Sequence, residues 1–182
     1  MHIVRKILLV SVVVSVPLFW WLKGSPPPQP EALQSLPSHS EQIREIQDKL
    51  KQDPNQAELW FQLGHGYLNQ QDFGSALTCF DYAIRLTESP TASQYAAKAT
   101  ALYYSNKQQL TDEVQQLLAL ALAEDENNLT ALSLIASDHF ISFRYQQAID
   151  VWTQMLDSQD QDLDRASIIH SLNLAKQMQN KQ

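Results

Sequence analysis

The chain falls into three regimes of hydrophobic and polar residues. From Ile7 to Leu22 the run ILLVSVVVSVPLFWWL is apolar or small throughout, with Arg5 and Lys6 before it and Lys23 after it. The stretch GSPPPQPEALQSLPS that follows is rich in proline and has no period. Beyond Ser40, apolar residues recur every three or four positions and no strand-like alternation persists, which predicts helices to the end of the chain. The first regime combines a positive n-region with a hydrophobic run. Its 16 residues lie between a signal-peptide core and a full span of about 20. No small-residue cleavage site follows, and Trp20 and Trp21 suit a membrane interface. Residues 1–24 are therefore expected to be an uncleaved signal anchor with its positive end inside, a cleaved signal peptide being the alternative. Residues 25–40 form a Pro-rich linker that favours extended, semi-rigid geometry. Residues 41–180 form the helical domain.

Within that domain the stripes can be placed individually. Ser40 is a candidate N-cap for a helix carrying Ile43, Ile46 and Leu50, which Asp53 and Pro54 stop. A second helix starts near Gln56. From Trp60, Leu63, Gly64 and Tyr67 lie 3, 4 and 7 residues on, one stripe of a helix. After the turn NQQDF, Ala76, Phe80 and Ala83 stripe the next helix, with Leu77 and Ile84 beside them. Small residues stand where two antiparallel helices approach and large ones where the gap needs filling. This resembles the W-x2-L-G-x2-Y…A-x3-F pattern of tetratricopeptide repeats. The same offsets fit Leu132, Ile135, Ala136, His139, Tyr145, Ala148 and Trp152. A middle copy runs through Tyr95, Ala99 and Leu102 and then QLLALALAEDEN. It is about three residues too long for the 34-residue period, with the excess around SNKQQLT. Thr111 followed by Asp112 and Glu113 gives its second helix a good start. A last helix has Ile168, Ile169, Leu172, Ala175 and Met178 on one face and caps the stack. The expected fold is all-α: a right-handed tetratricopeptide-repeat superhelix of about three hairpins with flanking helices.

Charge narrows the function. The first 30 residues carry three basic residues and no acid, so the other 152 carry 10 basic and 20 acidic residues, a net charge of −10. Such a surface argues against nucleic-acid binding, which needs basic patches. The single cysteine, Cys79, allows no internal disulfide. It adjoins Phe80 on a packing stripe and reads as a buried, inert thiol. His65 has no partners spaced for a metal site, and Gly64-His65-Gly66 lies within a helix and follows no strand, so it is no phosphate loop. The acidic AEDENN segment lacks calcium-ligand spacing and reads as a solvated turn. No catalytic residue, metal or cofactor is expected.

The repeats instead predict a groove. On the first helix of each hairpin, one stripe faces the concave side of the stack. It holds Glu58, Phe61, His65, Leu68 and Asn69 in the first hairpin, Ser93, Ala96, Thr100, Tyr103 and Tyr104 in the second, and Thr130, Ser133, Ser137, Phe140 and Ile141 in the third. Packing between hairpins is the alternative role for each apolar member. As a group, apolar anchors beside hydrogen-bonding groups suit a peptide. Lys98, Lys107 and Arg144 are the cations near it.

The segments LKQDPNQAELWFQLGHGYL, ALYYSNKQQLT, LLALALAEDENNLTALSLIASDHF, YQQAIDVWTQMLD and SIIHSLNLAKQMQ, behind a basic anchor and a Pro-rich linker, give a resemblance beyond the generic repeat. The chain is similar to the periplasmic repeat subunits of the cytochrome c haem-lyase machinery, over roughly residues 41–180. Its single membrane segment favours the short subunits associated with formate-dependent nitrite reductase over the longer apocytochrome chaperones. The resemblance implies a non-enzymatic accessory subunit in the periplasm, anchored to the inner membrane. It implies binding of the C-terminal peptide of an apocytochrome c, a multihaem nitrite reductase, beside membrane haem lyase subunits that attach the haem. Two rivals remain at this point: a general envelope repeat scaffold, and a thiol-dependent enzyme using Cys79, whose lone thiol lacks a resolving partner.

Overall fold

The computed structural model describes residues 39–158 and 160–181. The expected signal anchor and nearly all of the expected linker lie outside the described residues. All regular structure among the described residues is helical: α1 (His39–Gln52), α2 (Ala57–Asn69), α3 (Phe73–Leu86), α4 (Ala92–Ser105), α5 (Asp112–Glu124), α6 (Leu129–Ile141), α7 (Tyr145–Asp157) and α8 (Arg165–Gln179). α1 begins at His39, two residues inside the stretch read as linker, and already includes Ser40, which is therefore not its N-cap.

Local chemistry sets most boundaries. Asp72, Thr111, Asn128 and Asp164 each accept a hydrogen bond from the backbone N–H three residues on, capping α3, α5, α6 and α8. Thr91 and Gln94 form a reciprocal capping box at the start of α4, with bonds of 2.9 and 3.3 Å. Each such cap contributes about 1 kcal/mol. α1 ends before Pro54, whose carbonyl accepts a 2.8 Å hydrogen bond from the Trp60 indole, and that ring stacks on Tyr82 at 4.7 Å.

α2–α3, α4–α5 and α6–α7 pair as hairpins, α1 packs on α2, and α8 packs on α7. The first helices α2, α4 and α6 also touch in series, whereas no comparable contact joins α3, α5 and α7 to one another. Crowding on one side and separation on the other curves the stack into a superhelix, with the first helices inside. Hairpin closure explains the consensus residues. A Cβ on Gly64 would lie 2.5 Å from Phe80 Cε1, so only glycine lets α2 approach the fully buried Phe80 ring. In the third hairpin the same work is done by Ala136 against Trp152.

The hairpin turns differ. Three residues join α2 to α3 (70–72) and α6 to α7 (142–144), but six join α4 to α5 (106–111). That is the surplus around SNKQQLT. Each turn leaves its first helix through a non-glycine residue in the left-handed region: Gln71 at φ 61°, Phe143 at φ 60°, and both Lys107 and Gln108 at φ 56° and 60°. Such residues cost roughly 1–2 kcal/mol each, so the middle turn stores the most strain.

On α8, Leu172 and Ala175 are buried and Ile168 and Met178 half-buried, as the stripe predicts, but Ile169 is 47% exposed. A terminal helix packs along one side only, and Ile169 falls outside that contact.

Candidate functional site

The inner helices bring part of the expected groove together. Between α2 and α4 lies an open cleft of about 660 Å³, lined by Leu68, Asn69, Gln71, Phe73, Thr100, Tyr104, Lys107 and Gln108. A second cleft of about 350 Å³ lies between α4 and α6, lined by Thr100, Tyr104, Leu129, Thr130, Ser133, Leu134 and Ser137. Thr100 and Tyr104 line both, so the two clefts form one groove with Tyr104 as the ridge between them. Tyr104 is 40% exposed, and its ring stacks on Phe73 at 5.5 Å, which fixes its position. Of the residues expected in the groove, Leu68, Asn69, Thr100, Tyr104, Thr130, Ser133 and Ser137 line it.

The others lie elsewhere, for identifiable reasons. Tyr103 is not a groove anchor: it is 2% exposed, packed among Val114, Leu117, Leu118 and Leu134, and its hydroxyl donates to Asp138 at 3.1 Å. Consecutive helical residues diverge by about 100°, so when Tyr104 faces the groove Tyr103 turns into the joint with α6. Phe140 is half-buried against Tyr145 and Trp152, at 5.6 and 5.8 Å between ring centres, and belongs to the core of the third hairpin. Ile141 is 48% exposed but lines neither cleft. Phe61 and His65 meet edge-to-face at 4.6 Å, and His65 also packs 5.3 Å from the Phe80 ring. Both are half-buried fillers of the joint between the first two hairpins. Burial holds the His65 imidazole below its ordinary pKa.

Sequence reasoning missed Asp138. It is 4% exposed at the centre of a polar network. Besides the Tyr103 hydroxyl it accepts a hydrogen bond and ion pair from Arg144, whose Nε donates to His139 Nδ1 at 2.9 Å. Burial first, and then the charge of Arg144, holds His139 below its ordinary pKa. The available signal was an acid at the end of the apolar or small run LTALSLIAS, six residues before an arginine. Phe73, Gln71 and Gln108 were also missed as groove residues, since they reach it from the hairpin turns and the first residue of α3 rather than from the first-helix stripe.

Cys79 is 3% exposed, and burial, followed by the nearby Asp72 charge, pushes its thiol up to about 11. At neutral pH it is a protonated core residue, not a nucleophile.

Residues 43–166 match the family described as the cytochrome c-type biogenesis protein H TPR domain, which spans most of the chain. The chain belongs to that family. Among curated relatives of this biogenesis TPR family, the chain is 37% identical over 140 residues to the formate-dependent nitrite reductase complex subunit NrfG of Escherichia coli O157:H7, covering 77% of this chain and 70% of that protein. It is 42% identical over 132 residues to the bifunctional subunit NrfFG of the same complex in Haemophilus influenzae, covering 72% of this chain but only 34% of the relative. Among solved structures, the Cut9 and Hcn1 hetero-tetramer of APC/C aligns with 79% of the chain and 27% of the matched chain, at a TM-score of 0.66 and 18% identity. That likeness concerns the repeat fold alone. In this member of the biogenesis TPR family, the groove over α2, α4 and α6 thus sets hydroxyl and amide side chains beside apolar ones, with Tyr104 as an aromatic ridge.

Proposed function

We propose that this chain is a cytochrome c-type biogenesis factor that binds the C-terminal peptide of an apocytochrome c, as an accessory subunit and not a catalyst. It holds the apocytochrome while a membrane haem lyase attaches haem, and the N-terminal segment anchors it to the inner membrane with the repeat domain in the periplasm. The observation carrying this reading is the continuous groove over the inner helices of a chain in this family. An extended peptide has unpaired backbone groups along its length. The Asn69, Thr100, Ser133 and Ser137 side chains along the groove can meet those groups, while Leu68, Phe73 and Tyr104 cover its apolar side chains. The relatives named as nitrite reductase complex subunits favour a multihaem nitrite reductase as the client.

The test is calorimetric titration of the full chain, in mild detergent, with C-terminal peptides of the source organism's multihaem c-type cytochromes. At least one is expected to bind, and Tyr104→Ala is expected to weaken it by about 1–3 kcal/mol, as for an interface aromatic. A folded chain that binds none of them sinks the proposal. A reporter enzyme fused after Gln182 and active only in the periplasm tests the localisation; a fusion that accumulates at full length but is inactive refutes it.

A further inference from the structure

The three cations near the groove are not equivalent. Lys98 is committed to Asp81, with Nζ 2.6 Å from Oδ1. Arg144 is committed to Asp138 and His139. Lys107 lines the α2–α4 cleft, and its ammonium has no acidic or hydrogen-bonding partner among the described residues. This occurs in a domain with twice as many acids as bases.

The walls of that cleft are equally one-sided. Among the described residues, the side-chain amides of Asn69, Gln71 and Gln108 have no hydrogen-bond partner and no carboxylate lines the cleft. The Thr100 hydroxyl donates to Ala96 O at 2.8 Å. Leu68, Phe73 and Tyr104 supply the apolar side. A cation and several amide donors beside an apolar wall fit an anion carried directly on an apolar group. One unpaired lysine matches one negative charge; a phosphate would leave charge uncompensated. The last residue of a peptide has this form, a carboxylate on the same carbon as its side chain.

The extra length of the middle turn explains how the lysine gets there. With six residues instead of three, the chain passes through two left-handed residues in succession, Lys107 and Gln108. Their N–H groups turn back to Tyr104 O and Tyr103 O, at 3.1 and 2.9 Å, so the turn is fastened to the end of α4. The side chains of Lys107 and Gln108 both reach the cleft wall. The turns of the other two hairpins contribute no cation to either cleft.

We propose that the α2–α4 cleft is the subsite for the free C-terminal carboxylate of the bound peptide. Lys107 pairs with the carboxylate, and the last side chain lies against Leu68, Phe73 and Tyr104. The inference rests on the peptide-binding reading above and gives it a direction: upstream residues cross the Tyr104 ridge into the α4–α6 cleft. Capture of a terminal carboxylate makes recognition depend on a chain end and not on an internal sequence.

The test uses the same full chain and pairs of hexapeptides from the cytochrome C-termini, identical except for a terminal carboxylate or carboxamide. Wild type is expected to prefer the acid by about fivefold or more, with the preference shrinking as salt is raised. Lys107→Met, on an exposed turn, is expected to keep the melting temperature and erase the preference for the acid over the amide. Equal binding of acid and amide by wild type, or an undiminished preference in Lys107→Met, overturns the subsite and leaves the peptide reading standing. No binding of either peptide overturns both.

Discussion

The joint between the first and second hairpins and the joint between the second and third are built from different materials. At the first, Ala76, Phe80, Ala97 and Ala101 are at most 1% exposed, with Phe61, Leu68 and Leu77 filling around them. At the second, an apolar cluster of Val114, Leu117, Leu118 and Leu134 surrounds a hydroxyl, and Tyr103 reaches across to a buried carboxylate that Arg144 holds from the solvent side. A dry joint of small and large residues is sensitive to volume, because the interior is close-packed. A joint built round a charge is sensitive to losing a partner, because an unpaired buried group keeps its full desolvation cost. The two copies of one repeat pattern should therefore fail under different substitutions.

The largest effect is expected at the first joint. Phe80→Ala leaves a cavity and should cost about 3–5 kcal/mol in denaturant unfolding. Gly64→Ala sharpens the point. Mid-helix alanine is normally favoured over glycine by roughly 0.5–1 kcal/mol, but here the new Cβ strikes a ring with nowhere to go. Net destabilisation of about 1–3 kcal/mol is expected from overpacking, and a stabilised variant would show that the Phe80 ring can yield to the new methyl group. At the second joint, Asp138→Ala should cost about 1–3 kcal/mol, since the Arg144 side chain is 43% exposed and water compensates part of its loss. Tyr103→Phe should cost about 1 kcal/mol. In the double variant the costs should sum to less than their total, since they share one hydrogen bond. Strict additivity would show that the bond carries no energy.

The smallest effect is one of pH. His65, against Phe80, has a folded pKa below the ordinary 6.5 because of burial. The unfolded chain therefore takes up the proton first. Its contribution to stability is complete above 6.5 and is lost as pH falls from there through the folded pKa. Stability of wild type should decline over that window, and His65→Gln should flatten part of the decline. An identical slope in the variant would remove His65 from the first joint's acid sensitivity, leaving His139 at the second.

The fold was legible because its signals are short-range and repeated. Gly64 with Phe80, and Ala136 with Trp152, are offsets within one hairpin, and so is the surplus at SNKQQLT. The groove was legible only in part. A stripe drawn by offset names the face of a helix but not what the next hairpin covers. Tyr103 and Tyr104 are adjacent and chemically near-identical, yet one is sealed into a joint and the other is the ridge of the groove. Phe140 likewise answers to Trp152, its neighbour across the hairpin, and not to its place in the stripe. The network of Asp138 was less legible for a further reason: Tyr103 joins Asp138 and Arg144 only when hairpins two and three dock.

The contact pattern of the stack has a mechanical consequence. Each helix touches its immediate neighbours, and the first helices also touch one another in series; among the described residues no pairing of helices of that strength ties one end of the domain to the other. Pulled between its termini, the domain is expected to yield in a series of small steps and not in one large rupture. α8, which rests chiefly on α7, lies at one end of that series and α1, which rests on α2, at the other. Either end can peel away under load while the three inner helices stay in register, so a tug on the chain can be absorbed before it reaches the groove.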